Sequence, residues 1–202
     1  MKPIKPFDRV LLLLAAGLAA YQVMIGIDDL DAVPILAFTI AFGAILVATL
    51  LLIILGYEGL GSTWVVILAT IIPLGLAGGL VAEYLKDGLS GFTIFGLAGL
   101  AGVILTRLSF PGRPASLWLA CVHAVAGLAI VLLPILLVLD GRVNGGFLLV
   151  SLGGSLISLL GVLLFFSSRS KKASEDRPDL ARIFAPVFCF TNLALVAGFG
   201  LA

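Results

Sequence analysis

Long apolar stretches, separated by polar segments, run along the whole chain. Each is close to the roughly 20 helical residues that cross a hydrocarbon core of about 30 Å. A backbone inside lipid must satisfy its own amides, and the strands of a barrel would be shorter and would alternate, so each stretch is predicted to be a helix. The pattern therefore predicts an all-α, polytopic transmembrane bundle of about seven helices, forming a single integral membrane domain over residues 1–202. The predicted spans are residues 9–27, 33–56, 63–85, 90–108, 115–139, 145–167 and 182–202.

Most polar segments between the spans are short enough to be tight turns. Helices one to six are therefore predicted to form three consecutive helical hairpins, followed by a final helix. Asp87-Gly88 and Asp140-Gly141 lie at corresponding turns of the second and third hairpins. Accidental spacing is the favoured explanation, and a duplicated hairpin is the alternative. The one long polar segment, residues 167–182, is predicted to be a solvated connector, with a lipid-headgroup or partner surface as the alternative.

Composition agrees with the membrane class. The chain is 61% hydrophobic and 11% charged, whereas a soluble domain carries about 25% charged residues because its surface faces water. The formal net charge of +1 gives no basis for nucleic-acid binding. Cys121 and Cys189 both lie within apolar stretches, so they are interpreted as small core residues and not as a disulfide framework.

Lysine and arginine are distributed unequally between the two ends of the spans. With the N-terminus in the cytoplasm, ten of the 12 lie on the cytoplasmic side, and only Lys86 and Arg142 lie opposite. This bias predicts a cytoplasmic N-terminus and a C-terminus on the other side, most simply in a prokaryotic plasma or inner membrane. The first apolar stretch follows Lys2, Lys5 and Arg9 and could be a signal peptide, but a retained first helix is favoured.

Small residues four positions apart recur in most spans. Such steps let helix backbones approach closely inside lipid, where water does not drive association. Packing within one chain is the favoured interpretation of these steps, and a dimerisation face is the alternative. The apolar outer surface of the bundle is expected to contact the lipid bilayer and either other membrane-protein subunits or a second copy of the chain. The steps are Ala44 and Ala48, Gly75 and Gly79, Ala98 and Gly102, Ala120 and Ala124, and Ala194 and Gly198.

Chemistry-bearing residues are scarce in the spans. No Asp, Glu, Lys or Arg falls near the centre of a predicted span, and Glu83 and Arg107 lie close enough to span ends to reach the headgroups. Ion-coupled carriers usually place a charge near the midplane. The sequence also has no nucleophile elbow, HExxH motif or phosphate-binding glycine loop. We therefore expect the protein not to be an enzyme.

His123 is the single histidine and lies within the fifth span. An imidazole at that depth could ligate a haem iron or a chlorophyll magnesium. The favoured alternative is a histidine that forms a hydrogen bond across a helix interface, since no second histidine is available as a ligand. No cofactor is therefore predicted, and haem or chlorophyll at His123 is the minor alternative.

A small polar set lies at a depth similar to that of His123. Thr70, Thr191 and Asn192 could converge with His123 on a polar cavity in the inner half of the bundle, if helices three, five and seven adjoin. The same residues could instead form separate interhelical hydrogen bonds, which contribute about 0.6 kcal/mol each on average.

Three functions remain open from these observations. The favoured one is a non-catalytic accessory or structural subunit that packs with other membrane proteins or with itself. The second is a small permease or channel for an uncharged or lipophilic solute, with the polar set as its site. The third is a haem- or pigment-binding subunit, which depends on His123 alone.

Overall fold

The computed structural model describes residues 4–27, 30–109, 112–169 and 173–201, with backbone alone for 163–169 and 173–182. This part of the chain contains seven α-helices, all long and apolar enough to cross a membrane, and no strand. The predicted all-α bundle is thus confirmed. The helices are α1 (Pro6–Ile25), α2 (Ala32–Leu55), α3 (Thr63–Tyr84), α4 (Leu89–Ser109), α5 (Arg113–Leu139), α6 (Leu148–Arg169) and α7 (Ala173–Gly200).

Short 3₁₀ turns replace open loops at three of the connections, Tyr57–Gly61, Lys86–Gly88 and Gly145–Phe147. Glycine allows two of the helices to end sharply: Gly26 and Gly56 follow α1 and α2 with φ of 71° and 72°, a region that favours glycine. Each connection is thereby kept short, and successive helices run in opposite directions.

The seventh helix begins earlier than the apolar pattern suggests. Its apolar window is Ile183–Gly200, close to the predicted span, but the helix itself starts at Ala173. Residues 173–182 are therefore helical, where a connector was expected. The first turn reads Ala173-Ser-Glu-Asp, a composition that helix N-termini favour. Residues 170–172 of the expected connector lie outside the described part.

Six helices form a closed ring. Around it, α1 contacts α2, α2 contacts α3, α3 contacts α5, α5 contacts α6, α6 contacts α7, and α7 returns to α1. The most extensive contacts join α2 to α3 and α6 to α7. The bundle is therefore held together between the hairpins as well as within them. We call the end that holds the start of α1 the N-terminal face and the end that holds the end of α7 the C-terminal face.

Aromatic side chains fill the ring toward the C-terminal face. Phe199 of α7 lies with its ring centroid 4.7 Å from Phe38 and 6.0 Å from Phe42, both on α2. Phe147 lies 5.9 Å from Phe199 and is fully buried. Tilted and edge-on pairs of this kind stabilise a core beyond their buried area. They connect α2 and α7 to the turn that precedes α6.

Most of the predicted small-residue steps pack within the chain. A Cβ on Gly75 would lie 3.0 Å from the carbonyl oxygen of Ala37, and one on Gly79 would meet the ring of Phe38. A Cβ on Gly198 would lie 2.7 Å from the backbone nitrogen of Val150. The α2–α3 and α6–α7 interfaces therefore depend on glycine for close backbone approach.

The fourth helix lies outside the ring, against α3 and α5. Only 11% of its apolar window is buried, against 33% to 50% for the other spans. Its contact with α5 uses Gly99 and Gly102, which face Val122 and Trp118. The indole Nε1–H of Trp118 donates a 3.0 Å hydrogen bond to the carbonyl oxygen of Gly99.

Candidate functional site

Thr70 and His123 lie on neighbouring helices, α3 and α5. Thr70 is fully buried, and its hydroxyl donates to the carbonyl of Val66 at 2.8 Å. The half-buried ring of His123 places Nδ1 3.0 Å from the carbonyl oxygen of Leu119, which requires a proton on Nδ1. The main chain of Ala69 on α3 also lies close to the ring. His123 therefore has main-chain contacts on its own helix and on the neighbouring one.

Thr191 and Asn192 lie on α7 and are buried, Asn192 completely. The amide of Asn192 donates to the carbonyl of Phe188 at 2.8 Å. Its Oδ1 and the hydroxyl oxygen of Thr191 are buried and form no hydrogen bond within the described residues. A buried polar atom without a partner costs about 1–3 kcal/mol, so these two atoms are the most conspicuous unsatisfied groups in the spans.

The four residues of the predicted polar set lie on three helices, Thr70 on α3, His123 on α5, and Thr191 and Asn192 on α7. The helices of Thr70 and His123 pack together, whereas α7 packs against α1 and α6. In the part of the chain that the structure describes, no hydrogen bond joins either of the α7 residues to Thr70 or His123. Their convergence on one polar cavity stays a prediction.

Cofactor binding at His123 also stays a prediction. Among the described residues, no group of three or more His, Cys, Asp and Glu lies close enough together to hold a metal ion. A single axial histidine does not need such a group, because a tetrapyrrole supplies the other ligands. The contact of Nδ1 with Leu119 leaves Nε2 as the nitrogen that could serve.

A buried carboxylate near the N-terminal face was not among the sequence-predicted residues. Asp8, in the first turn of α1, is only 5% exposed. The Tyr57 hydroxyl lies beside this carboxylate without the geometry of a regular hydrogen bond. Burial, and next the nearby carboxylate, raise the pKa of Tyr57 well above its ordinary range. The available sequence signal was an acidic residue directly before the first apolar stretch.

The C-terminal face carries the other charged cluster. The Lys86 ammonium lies 2.9 Å from a carboxylate oxygen of Asp31, and this hydrogen bond and charge lower the pKa of the Asp31 carboxyl. The Arg142 guanidinium lies 6.0 Å from the ring centre of Tyr84 and donates a long 3.4 Å bond to its carbonyl oxygen. Oε2 of Glu83 is buried and accepts no hydrogen bond in the described structure.

These charged groups line a depression of about 370 Å³ that opens at the C-terminal face. Its walls come from the end of α3, the following 3₁₀ turn and the segment after α5. The sequence predicted that Glu83 lies near the headgroups, but it did not predict that Arg142 lines the same depression. Only the α3–α5 contact brings the two segments together.

Comparison of the chain with protein-family models, with curated proteins and with solved structures gives no match. The seven apolar helices identify an integral, multi-pass membrane protein in contact with a lipid bilayer.

Proposed function

We propose that the protein is a non-catalytic membrane subunit that packs through α4 against a second subunit, either another copy of this chain or another membrane protein. The observation that carries the proposal is the outward face of α4. Of the seven spans this helix is the least buried, and its exposed residues follow a regular order.

One row of six exposed residues on α4 has the spacing of a helix-packing seam; Ser90, Thr93, Leu97 and Ser109 are exposed beside this row. Its residues recur at intervals of three and four, the spacing by which one helix presents a continuous stripe to another. Alanine and glycine occupy half of its positions, and leucine or isoleucine the rest, which suits close approach with larger side chains inserted around it. All six are exposed: Gly91, Ile94, Ala98, Ala101, Leu105 and Leu108.

Two glycines of α4 lie outside this stripe. Gly99 and Gly102 face α5 and accommodate Val122 and Trp118. The helix thus has an inner face that attaches it to the ring and an outer face left for a partner. Lipid can cover the outer face, but its small residues, Gly91, Ala98 and Ala101, also allow the close backbone approach of a partner helix.

The proposal also includes the orientation of the protein in the membrane and its location in the cell. The excess of Lys and Arg near the N-terminal face supports a cytoplasmic N-terminus, with the C-terminal face on the opposite side of a prokaryotic inner membrane. The absence of recognised catalytic motifs from the sequence supports a role that is not enzymatic.

Cysteine crosslinking in native membranes tests the proposal. In a background with Cys121→Ala and Cys189→Ala, Ala98→Cys is expected to form an oxidative crosslink at the centre of the stripe. Gly17→Cys is the matched control, because residue 17 is exposed at mid-depth of α1 and an added Cβ meets nothing within 4 Å.

Each outcome of this experiment has a definite meaning. A dimer of the chain supports packing of two copies, and a crosslink to a second cysteine-bearing protein that co-purifies at constant stoichiometry supports a heteromeric subunit. If Ala98→Cys crosslinks no more than Gly17→Cys and the chain purifies alone as a monomer, the proposal is rejected.

A second candidate function rests on the unsatisfied atoms of α7. The buried oxygens of Thr191 and Asn192 lack partners in the described structure, and such atoms could bind water or an uncharged polar solute on its way through a permease. Light-scattering measurements on proteoliposomes with glycerol test this. Asn192→Leu should slow solute entry, whereas Thr49→Val, which removes a buried hydroxyl that donates to Ile45, should not. Entry no faster than into empty liposomes excludes this candidate.

A further inference from the structure

The depression on the C-terminal face contains charges of both signs that do not neutralise each other. Glu83 and Arg142 both line it, yet among the described residues no salt bridge joins them. Both charges act on Tyr84, whose position lies between the two groups. Within the described residues, the only hydrogen bond of Arg142 is the long one to a carbonyl oxygen, so its guanidinium retains most of its donors for a ligand.

The neighbouring lysine is already paired. Lys86 lines the same depression, but its ammonium is held 2.9 Å from Asp31. Asp87, also in the lining, adds a second negative group on the side of Glu83. The depression therefore offers a carboxylate region and one guanidinium, an arrangement complementary to a ligand with a cationic end and an anionic end.

From this arrangement we infer that the depression binds the headgroup of an aminophospholipid, with its primary ammonium at Glu83 and its phosphate at Arg142. A primary ammonium has three N–H donors, and the carboxylate of Glu83, a lining residue of the depression, is an acceptor for them. A guanidinium binds phosphate oxygens through two parallel hydrogen bonds. A quaternary ammonium lacks N–H donors, so the Glu83 side discriminates between the two classes of zwitterionic lipid.

The position of the depression favours a lipid over a free solute. It lies where α3 and α5 end, at the level expected for headgroups. Leu85 forms part of its lining and is 44% exposed, and Leu139, at the end of α5, is 77% exposed. These leucines offer an apolar surface beside the charges, which acyl chains can cover. The inference about this site does not depend on the proposal for α4.

Lipid titration of the full chain in detergent tests the inference. Phosphatidylethanolamine, phosphatidylcholine and phosphatidylglycerol are added separately, and bound lipid is counted by native mass spectrometry. We expect phosphatidylethanolamine to bind about tenfold more tightly than the other two, the effect of one charge-assisted hydrogen bond. Soluble phosphoethanolamine, tested in parallel, is expected to bind much more weakly than the lipid.

Two variants test which residue binds the ammonium and which binds the phosphate of the headgroup. Glu83→Gln should remove the preference for phosphatidylethanolamine over phosphatidylcholine, and Arg142→Gln should weaken both about tenfold. Asp140→Asn and Arg113→Gln, which change exposed charges outside the lining, are controls for net charge and should leave binding unchanged.

Three results would overturn the inference. The first is equal binding of all three lipids by the unaltered chain. The second is loss of binding in the control variants to the same extent as in Glu83→Gln and Arg142→Gln. The third is binding of soluble phosphoethanolamine as tight as that of the lipid, which would assign the site to a free aminophosphate and not to the membrane. Variants that lose their thermal transition are replaced by Glu83→Asp and Arg142→Lys, which keep the charges and should keep the lipid preference in part.

Discussion

Single glycines set how closely α6 and α7 approach. A Cβ on Gly198 would lie 2.7 Å from the backbone nitrogen of Val150, a distance that side chains do not tolerate. Backbone atoms cannot rotate away as a side chain can, so the helices themselves would have to separate. The cost would then extend to neighbouring contacts such as that of Phe199 with Phe147.

Gly198→Ala is therefore expected to destabilise the protein by about 1–3 kcal/mol, the usual cost of overpacking. Unfolding in mixed detergent micelles measures the change. Gly161→Ala on α6 is the control, because its added methyl group meets nothing within 4 Å. Equal stability of the two variants would show that the α6–α7 backbones do not approach as closely as described.

The environment of Tyr57 leads to a prediction about alkaline pH. Its pKa is raised above the ordinary value of 10.0, mainly by burial and further by Asp8. A raised pKa in the folded state means that the neutral phenol is favoured by folding. The corresponding stability is fully present below pH 10 and is lost as the pH rises through the folded-state pKa.

Ultraviolet titration in a Tyr21→Phe and Tyr84→Phe background should show that Tyr57 ionises at a higher pH than free tyrosine. Asp8→Asn should bring the transition to lower pH without restoring the ordinary value, since burial remains. A Tyr57 transition at the ordinary value in the folded protein would contradict the buried position beside Phe184, whose ring centroid lies 5.9 Å away.

At the scale of the elements, α4 depends on few attachments. It contacts α3 and α5 of the ring. The indole N–H of Trp118 on α5 donates a hydrogen bond to the carbonyl oxygen of Gly99 on α4. A hydrogen bond between helices in lipid contributes about 0.6 kcal/mol on average. The same ring also covers Gly102, so the tryptophan supplies packing as well as a donor.

Trp118→Phe is expected to lower stability by about 1 kcal/mol through loss of the donor and part of the ring. Trp64→Phe is the matched control, because Trp64 is 70% exposed at the start of α3. The comparison uses the same micelle unfolding measurement. A larger effect of Trp64→Phe would argue against this attachment of α4.

At the scale of the whole molecule, the ring and the proposed orientation can be tested together. Gly61 lies at the N-terminal face and Gly145 at the C-terminal face, and an added Cβ meets nothing within 4 Å at either. In a background without the native cysteines, a membrane-impermeant maleimide applied to intact cells should label Gly145→Cys and spare Gly61→Cys. The reverse pattern would place the C-terminal face in the cytoplasm.

The sequence alone was enough for the class and the helices. Apolar length, scarce charge and glycine-bearing turns are local properties, and lipid leaves the backbone little choice but a helix. Six predicted spans therefore lie close to α1–α6. The start of α7 was not predictable from hydropathy, because residues 173–182 are polar yet helical, and helix formation there follows from backbone hydrogen bonding and not from burial in lipid.

Tertiary structure decided which helices are neighbours and therefore which polar groups meet. Periodicity does not reveal that α4 lies outside a ring closed by α1 and α7, because interhelical contacts depend on shape at residues far apart in the chain. The same reason applies to the sites. Glu83 and Arg142 share a depression only because α3 packs against α5. The sequence determined that this protein spans a bilayer. The packing of the helices against one another determined where Glu83, Arg142 and the outward-facing α4 lie.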